Sequence, residues 1–192
     1  MFPYTVRTTA AILLGVGLSL TVLAAAGSSR RLGYEAIKSS LAPYVELSGA
    51  DSHMDQLAYH RVTTAEEFQA MFMRHLGQDP AGFDPFYNRH GVPSIDFDRC
   101  MVVAIFQGEK WNSAGVSFTS VTEEADRIVF RFDDRSFQTA GPAPEGGRVR
   151  ARPYGIFVLP RSDKALVLEE NIQHLKNEPP KGMEVARFKP LA

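Results

Sequence analysis

The sequence predicts a single α+β domain: a mainly antiparallel, twisted β-sheet or partial barrel with one main covering helix. Three observations carry this. One stretch, residues 64–76, has the apolar spacing of a surface helix, with Phe68, Met71, Phe72 and Leu76 on one face. Met101-Val-Val-Ala-Ile-Phe106 is continuously apolar and rich in β-branched residues, which suits a strand buried on both faces. From Asp96 onward the chain reads as short strands separated by polar or Pro/Gly turns, with no internal repeat and no second domain.

The elements follow in order. Residues 1–26 read as an export signal: Arg7 is the positive start, and Ala10 to Ala26 is apolar apart from Ser19 and Thr21. Leu23-Ala-Ala-Ala26-Gly27 fits small-x-small cleavage after Ala26. The run of about 17 residues is at the short limit for crossing a bilayer, so an uncleaved anchor is the alternative. No cysteine stands at its end to carry a lipid. Residues 27–55 read as an N-terminal arm and first strand, and 56–192 as the β-rich domain. Residues 43–48 and 56–62 are short strands around a polar turn at 49–53.

The helix starts at a capping box, Thr63 with Glu66 or Thr64 with Glu67, and Gly77 stops it. Residues 78–94 hold three prolines with Phe83, Phe86 and Tyr87, a packed or functional loop rather than simple disorder. The strand 101–106 and an alternating strand over 116–121 look like a hairpin with Trp111 near its tip. On the second strand Val116, Phe118 and Ser120 face one way and Ser117, Thr119 and Val121 the other. Further strands are expected at 126–132, 151–159, 165–169 and 183–188, with a short helical turn at 171–176.

Composition narrows the function. The chain has 21 basic and 22 acidic residues, and loss of Arg7 with the leader takes the net charge from −1 to −2. Nothing in that balance favours nucleic acid or an anionic membrane surface. The mature chain of about 165 residues is long enough for one real core. Cys100 is the single cysteine, so no intramolecular disulfide supports the fold; beside the apolar run it reads as an inert buried group.

The best recognition candidate is the loop Lys110, Trp111, Asn112, Ser113 and Gly115. Trp111, the sole tryptophan, either anchors an interface, with Lys110, Asn112 and Ser113 as its polar rim, or folds back over the sheet. Arg148, Arg150 and Arg152 recur every second residue and form a weaker candidate, a basic stripe for carboxylates or phosphates or a solvated edge, with Glu145, Asp133 and Asp134 as nearby acidic partners. The histidines are His53, His60, His75, His90 and His174, none in a zinc motif; His75 and His90 flank Asp79 and Asp84, and otherwise read as surface groups. Ser113 and Ser117 lack a nucleophile-elbow context. Asp133-Asp134 and Glu123-Glu124 read as turn-forming and solubilising, Glu169-Glu170-Asn171 as a solvated strand end, and Gly146-Gly147 as a flexible loop rather than a phosphate cradle. No catalytic, metal or organic-cofactor signature emerges.

The order of pieces resembles a family. It comprises Thr63-Thr-Ala-Glu-Glu-Phe-Gln-Ala-Met-Phe72, Ile95-Asp-Phe-Asp98, Met101-Val-Val-Ala-Ile-Phe-Gln-Gly-Glu-Lys110 and Pro153-Tyr-Gly-Ile-Phe-Val-Leu-Pro-Arg-Ser162. Over residues 56–170 this is similar to the C-terminal domain of the protease complex subunit PrcB, a family of small exported bacterial domains. The resemblance implies a β-rich, non-catalytic module whose founder stabilises a secreted protease complex. The chain departs from the family's usual Pro-Thr-Gly-Gly-Tyr loop, carrying Trp111-Asn-Ser-Ala-Gly-Val116 instead, so the bound partner is expected to differ.

The expected function is a periplasmic or secreted protein-binding module whose partner is an exported protein such as a protease, with no nucleic acid and no membrane insertion after signal removal. A peptidase inhibitor, a structural envelope protein and a metal or acid–base enzyme in the 78–94 loop are the alternatives. The signal reading makes one prediction: intact mass of the exported protein should place its first residue at Gly27, and a mass retaining residues 1–26 would identify an anchor instead.

Overall fold

The computed structural model describes residues 40–82, 92–139, 147–172 and 181–192. Residues 1–39, which hold the expected leader and most of the expected arm up to β1, and His90 and His174 lie outside the described residues.

Among the described residues, two larger sheets and one α-helix build the domain. The first sheet runs in the order β2 (Val45–Gly49), β9 (Tyr154–Pro160), β4 (Cys100–Gln107), β3 (Leu57–Val62), antiparallel throughout. The second runs β1 (Ser40–Leu41), β6 (Ser113–Glu123), β7 (Arg127–Ser136), β10 (Ala165–Ile172), β11 (Lys181–Phe188). Its one parallel pair is β7 with β10. Neither sheet closes into a barrel. A two-stranded ribbon, β5 (Lys110–Trp111) with β8 (Arg150–Ala151), completes the β structure, and α1 spans Ala65–His75.

The expected α+β class holds, and its core has two layers. On β4, Met101, Val103 and Ile105 point at the second sheet, where they meet Phe130, Phe132, Leu166 and Leu168. Val102, Ala104 and Phe106 point the other way, under Phe68, Met71 and Phe72 of α1. All six residues from Met101 to Phe106 are fully buried. β9 repeats the division, with Phe157 and Leu159 on the sheet side and Ile156 and Val158 on the helix side. The uninterrupted apolar run thus records a middle strand covered by a helix and by a sheet, although its neighbours are antiparallel.

The helix ends are as the sequence specifies. Thr64 is the N-cap; its Oγ1 accepts from the Glu67 amide at 3.2 Å, and the Glu67 carboxylate accepts from the Thr63 amide at 3.2 Å. At the other end the amide of Gly77 donates to the Arg74 carbonyl and that of Gln78 to the Met73 carbonyl, the paired bonds of a Schellman motif. That motif needs a left-handed residue, and Gly77 has φ +71°.

Several expectations are corrected. β4 and β6 are not a hairpin, because they lie in different sheets and the loop between them crosses from one to the other. The simple alternation expected on β6 fails at Thr119: Phe118 pairs with Phe132 but Ser120 with Arg131, so one residue bulges out. The bulge returns Val121 to the face of Val116 and Phe118, all against the same core, instead of opposite it. The strand expected over 151–159 is two strands, interrupted at Arg152-Pro153. Asn171 and Ile172, expected to open a helical turn, end β10 instead.

The ends of the sandwich are tied by side chains. The Arg61 guanidinium on β3 donates to the carbonyls of Lys164 and Lys189, each at 3.0 Å, and to that of Ser162. It joins one sheet to the turn and C-terminal segment that flank the other. Because Phe157 is fully buried and stacks near Phe130 at 5.0 Å in the inter-sheet core, Phe157→Ala should cost about 3–5 kcal/mol, read as a lowered urea midpoint; a loss below about 1 kcal/mol would contradict this packing.

Candidate functional site

The ribbon β5–β8 is a continuation of the central pair. Phe106 pairs with Tyr154, the Gln107 amide donates to the Pro153 carbonyl at 2.9 Å, and beyond them Lys110 pairs with Ala151 and Trp111 with Arg150. The pairing that is buried in the core therefore runs out to the surface, where it presents Trp111.

Trp111 is 43% exposed, so it does not fold back to close the core. The Arg150 guanidinium lies over its ring, 5.0 Å from the centroid, and donates to the Glu109 carboxylate at 2.6 Å. Phe137 and Val149 are exposed to a similar degree. Both are joined to Trp111 through Asn112. The Asn112 amide donates to the Val149 carbonyl at 2.8 Å, Asn112 Oδ1 accepts from the Val149 amide at 2.8 Å, and the Asn112 carbonyl accepts from the Phe137 amide at 2.8 Å. Asn112 Nδ2 reaches Thr139 Oγ1 at 3.3 Å. Asn112 achieves this in the left-handed region, φ +56°, which asparagine tolerates better than most residues.

The other loop candidates are supports. Ser113 was expected at a polar rim, but it is buried and its hydroxyl donates to Asp134 Oδ1 at 2.6 Å. Lys110 Nζ binds Asp134 Oδ2 at 3.2 Å, so one carboxylate of β7 holds both. Asp134 is thereby a structural acceptor rather than only a solubilising group. Gly115 has φ +120°, and a Cβ there would lie 2.5 Å from Ser48 Oγ and 2.9 Å from the Gly49 backbone, so it marks a close approach of β2 rather than a contact point for a ligand.

The basic stripe is also corrected. Only Arg150 and Ala151 form β8, and Arg148 precedes it. Arg150 turns to Trp111 and Glu109, and of the three arginines it alone belongs to β8, so they are not a row along one continuous strand. Arg150 and Arg152 do line a common polar cleft of about 430 Å³, with Asp51, Ser52, His53 and Glu109. The anticipated partner of this stripe was Glu145, Asp133 or Asp134; Glu145 lies outside the described residues, and Glu109 is the one that pairs.

Behind this cleft is a pair that sequence reading missed. His75, expected as a surface group, sits in the last turn of α1, 6% exposed, among Phe72, Phe106 and Tyr154. Its Nδ1 is 3.0 Å from Ser52 Oγ, itself buried and accepting from the Met54 amide. Burial pushes the His75 imidazole down to about 4, with Asp51 opposing and His53 adding to the shift. Position 75 could have been found: it continues the Phe68, Met71, Phe72 face of the helix.

A second, apolar pocket of about 190 Å³ lies between β2, α1 and the segment before β4, lined by Tyr44, Leu47, Phe68, Ile95, Cys100 and Val158. Cys100 is half-buried on its wall rather than sealed in the core. Among the described residues no group of three or more His, Cys, Asp or Glu side chains is placed to hold a metal; Asp84 and His90 of the sequence-based suggestion lie outside them. Among the described residues no helix is long and apolar enough to cross a membrane.

No protein-family model, curated protein or solved structure matches the chain.

The depressed His75 value fixes the sign of a pH effect. The unfolded chain takes up this proton near pH 6.5 and the folded chain only near pH 4, so stability is full above 6.5 and falls as pH drops between them. The loss should reach about 3 kcal/mol by pH 4, seen in urea midpoints of wild type against His75→Gln, whose slope over this window should be shallower. Parallel slopes would show that His75 titrates normally.

Proposed function

We infer that the chain is an exported, non-catalytic protein-binding module that docks through Trp111, with a protease or another envelope protein as partner. The observation that carries this is the exposed Trp111, Phe137 and Val149 on backbones locked to one another through Asn112. Exposed aromatic and aliphatic side chains cost little entropy to bury when their backbone is already fixed, which is what an interface anchor requires. Arg150 restrains the indole by a cation–π contact and supplies a charged rim with Glu109. In this reading Asn112, Ser113 and Asp134 set the platform, and Trp111 makes the contact.

The resemblance to the PrcB domains supports the choice of an exported protease as partner. The export signal supports the compartment. A peptidase inhibitor would use the same residues, and enzyme assays on the captured partner separate the two: an inhibitor lowers its activity, a stabilising subunit does not.

The test is photo-crosslinking from position 149 in the cell envelope, with capture compared between wild type and Trp111→Ala. One partner should be captured by wild type, and Trp111→Ala should weaken its binding by about 2 kcal/mol or more in titration with the purified partner. Because Trp111 is exposed, the same variant should keep its melting temperature within a few degrees. Equal affinity for both proteins would return Trp111 to a structural role.

A further inference from the structure

The cleft beside the tryptophan platform is built more firmly than a connecting loop requires. Its floor, residues 50–54, is held by the Ser52 amide on the Arg152 carbonyl at 3.1 Å, the Arg152 amide on the Ala50 carbonyl at 2.8 Å and the His53 amide on the His75 carbonyl at 2.9 Å. The buried Ser52–His75 pair and the Met54 amide on Ser52 Oγ hold it from below. Side chains mounted on such a frame are preorganised.

The charges on that frame are not mutually satisfied. Arg150 is committed to Glu109 and to the indole. Asp51 and Arg152 are neighbours through their backbone bridge and line the same cleft. Among the described residues the Asp51 carboxylate has no ion pair or side-chain hydrogen bond, and the Arg152 guanidinium has a single long contact, 3.5 Å to the Ser52 carbonyl. A carboxylate and a guanidinium held in one cleft without touching leave a gap for a molecule that carries both complementary charges. A simple anion would meet Asp51 and Glu109, and a simple cation would meet Arg152, so one charge alone fits poorly. About 430 Å³ is enough for an amino acid or a dipeptide.

We propose that this cleft binds a small zwitterion of amino-acid type, its carboxylate on Arg152 and its ammonium group on Asp51. Ser52 and His53 form the floor, and the Glu109–Arg150 pair forms the wall shared with Trp111. This site is independent of protein docking at Trp111, although Arg150 belongs to both.

Calorimetric titration of the mature domain tests it, with L-alanine, L-leucine and L-lysine as probes, each also as the N-acetyl form and as the carboxamide. At least one free amino acid should bind, and both blocked forms should lose at least tenfold in affinity. Arg152→Gln should abolish the penalty for the carboxamide, and Asp51→Asn the penalty for acetylation. No binding by any free amino acid, equal binding by a blocked form, or wild-type behaviour in both variants would overturn the proposal. The blocked probes test it on the wild-type protein, so a variant that fails to fold does not leave it open. Phe137→Ala, at a position exposed on the platform and outside the cleft lining, should keep this binding while weakening the partner, which separates failure here from failure of the docking reading.

Discussion

The structure depends on one constraint: the pair β4–β9 must bury both of its faces. One face is closed by the apolar side of α1 and the other by the second sheet. Neither cover alone suffices, because alternate side chains along each strand point to opposite sides and every one from Met101 to Phe106 is apolar. The helix is therefore not an ornament on a sandwich. Without it, Val102, Ala104, Phe106, Ile156 and Val158 would face water, and burial of such side chains supplies most of the folding free energy of a domain this size.

The same pair places the site. β4 and β9 continue past the core as β5 and β8, so the surface ribbon inherits its register from buried strands. A loop hung on a rigid pair can display a large aromatic side chain in a defined place. The supporting residues divide the labour: Asn112 satisfies the backbone of two neighbouring segments, and Asp134 takes the hydroxyl of Ser113 and the ammonium of Lys110. Leaving the buried Ser113 hydroxyl unmatched would cost more than its bond to Asp134 contributes. Their part is to hold Trp111 outward.

The Ser52–His75 pair links the helix to the cleft. His75 belongs to the apolar layer by its ring contacts and to the cleft floor through Ser52. A neutral imidazole fits there, since protonation would put a charge among aromatic rings. The helix that covers the middle sheet thus also fixes the segment bearing Asp51 and His53.

Local signals were enough for the helix and for the central buried strand. The Thr64 cap, the Gly77 stop, the two-faced run of β4 and the α+β class follow from spacing and from hydrogen-bonding chemistry within a few residues. The prominence of Trp111 was legible too, since one tryptophan in a polar loop stands out in any sequence. What tertiary structure decided was everything that joins distant segments. Whether Trp111 lay out or in, that Ser113 turned to Asp134, that Arg150 paired with Glu109 beside the indole, and that Ser52 met His75 all depend on which sheets the strands entered. The Thr119 bulge shows why: one unpaired residue reverses the facing of all that follow, and only the partner strand creates it. Sequence periodicity reports burial along one strand, whereas a site is assembled between strands, by pairings whose energies are spread over residues far apart in the chain.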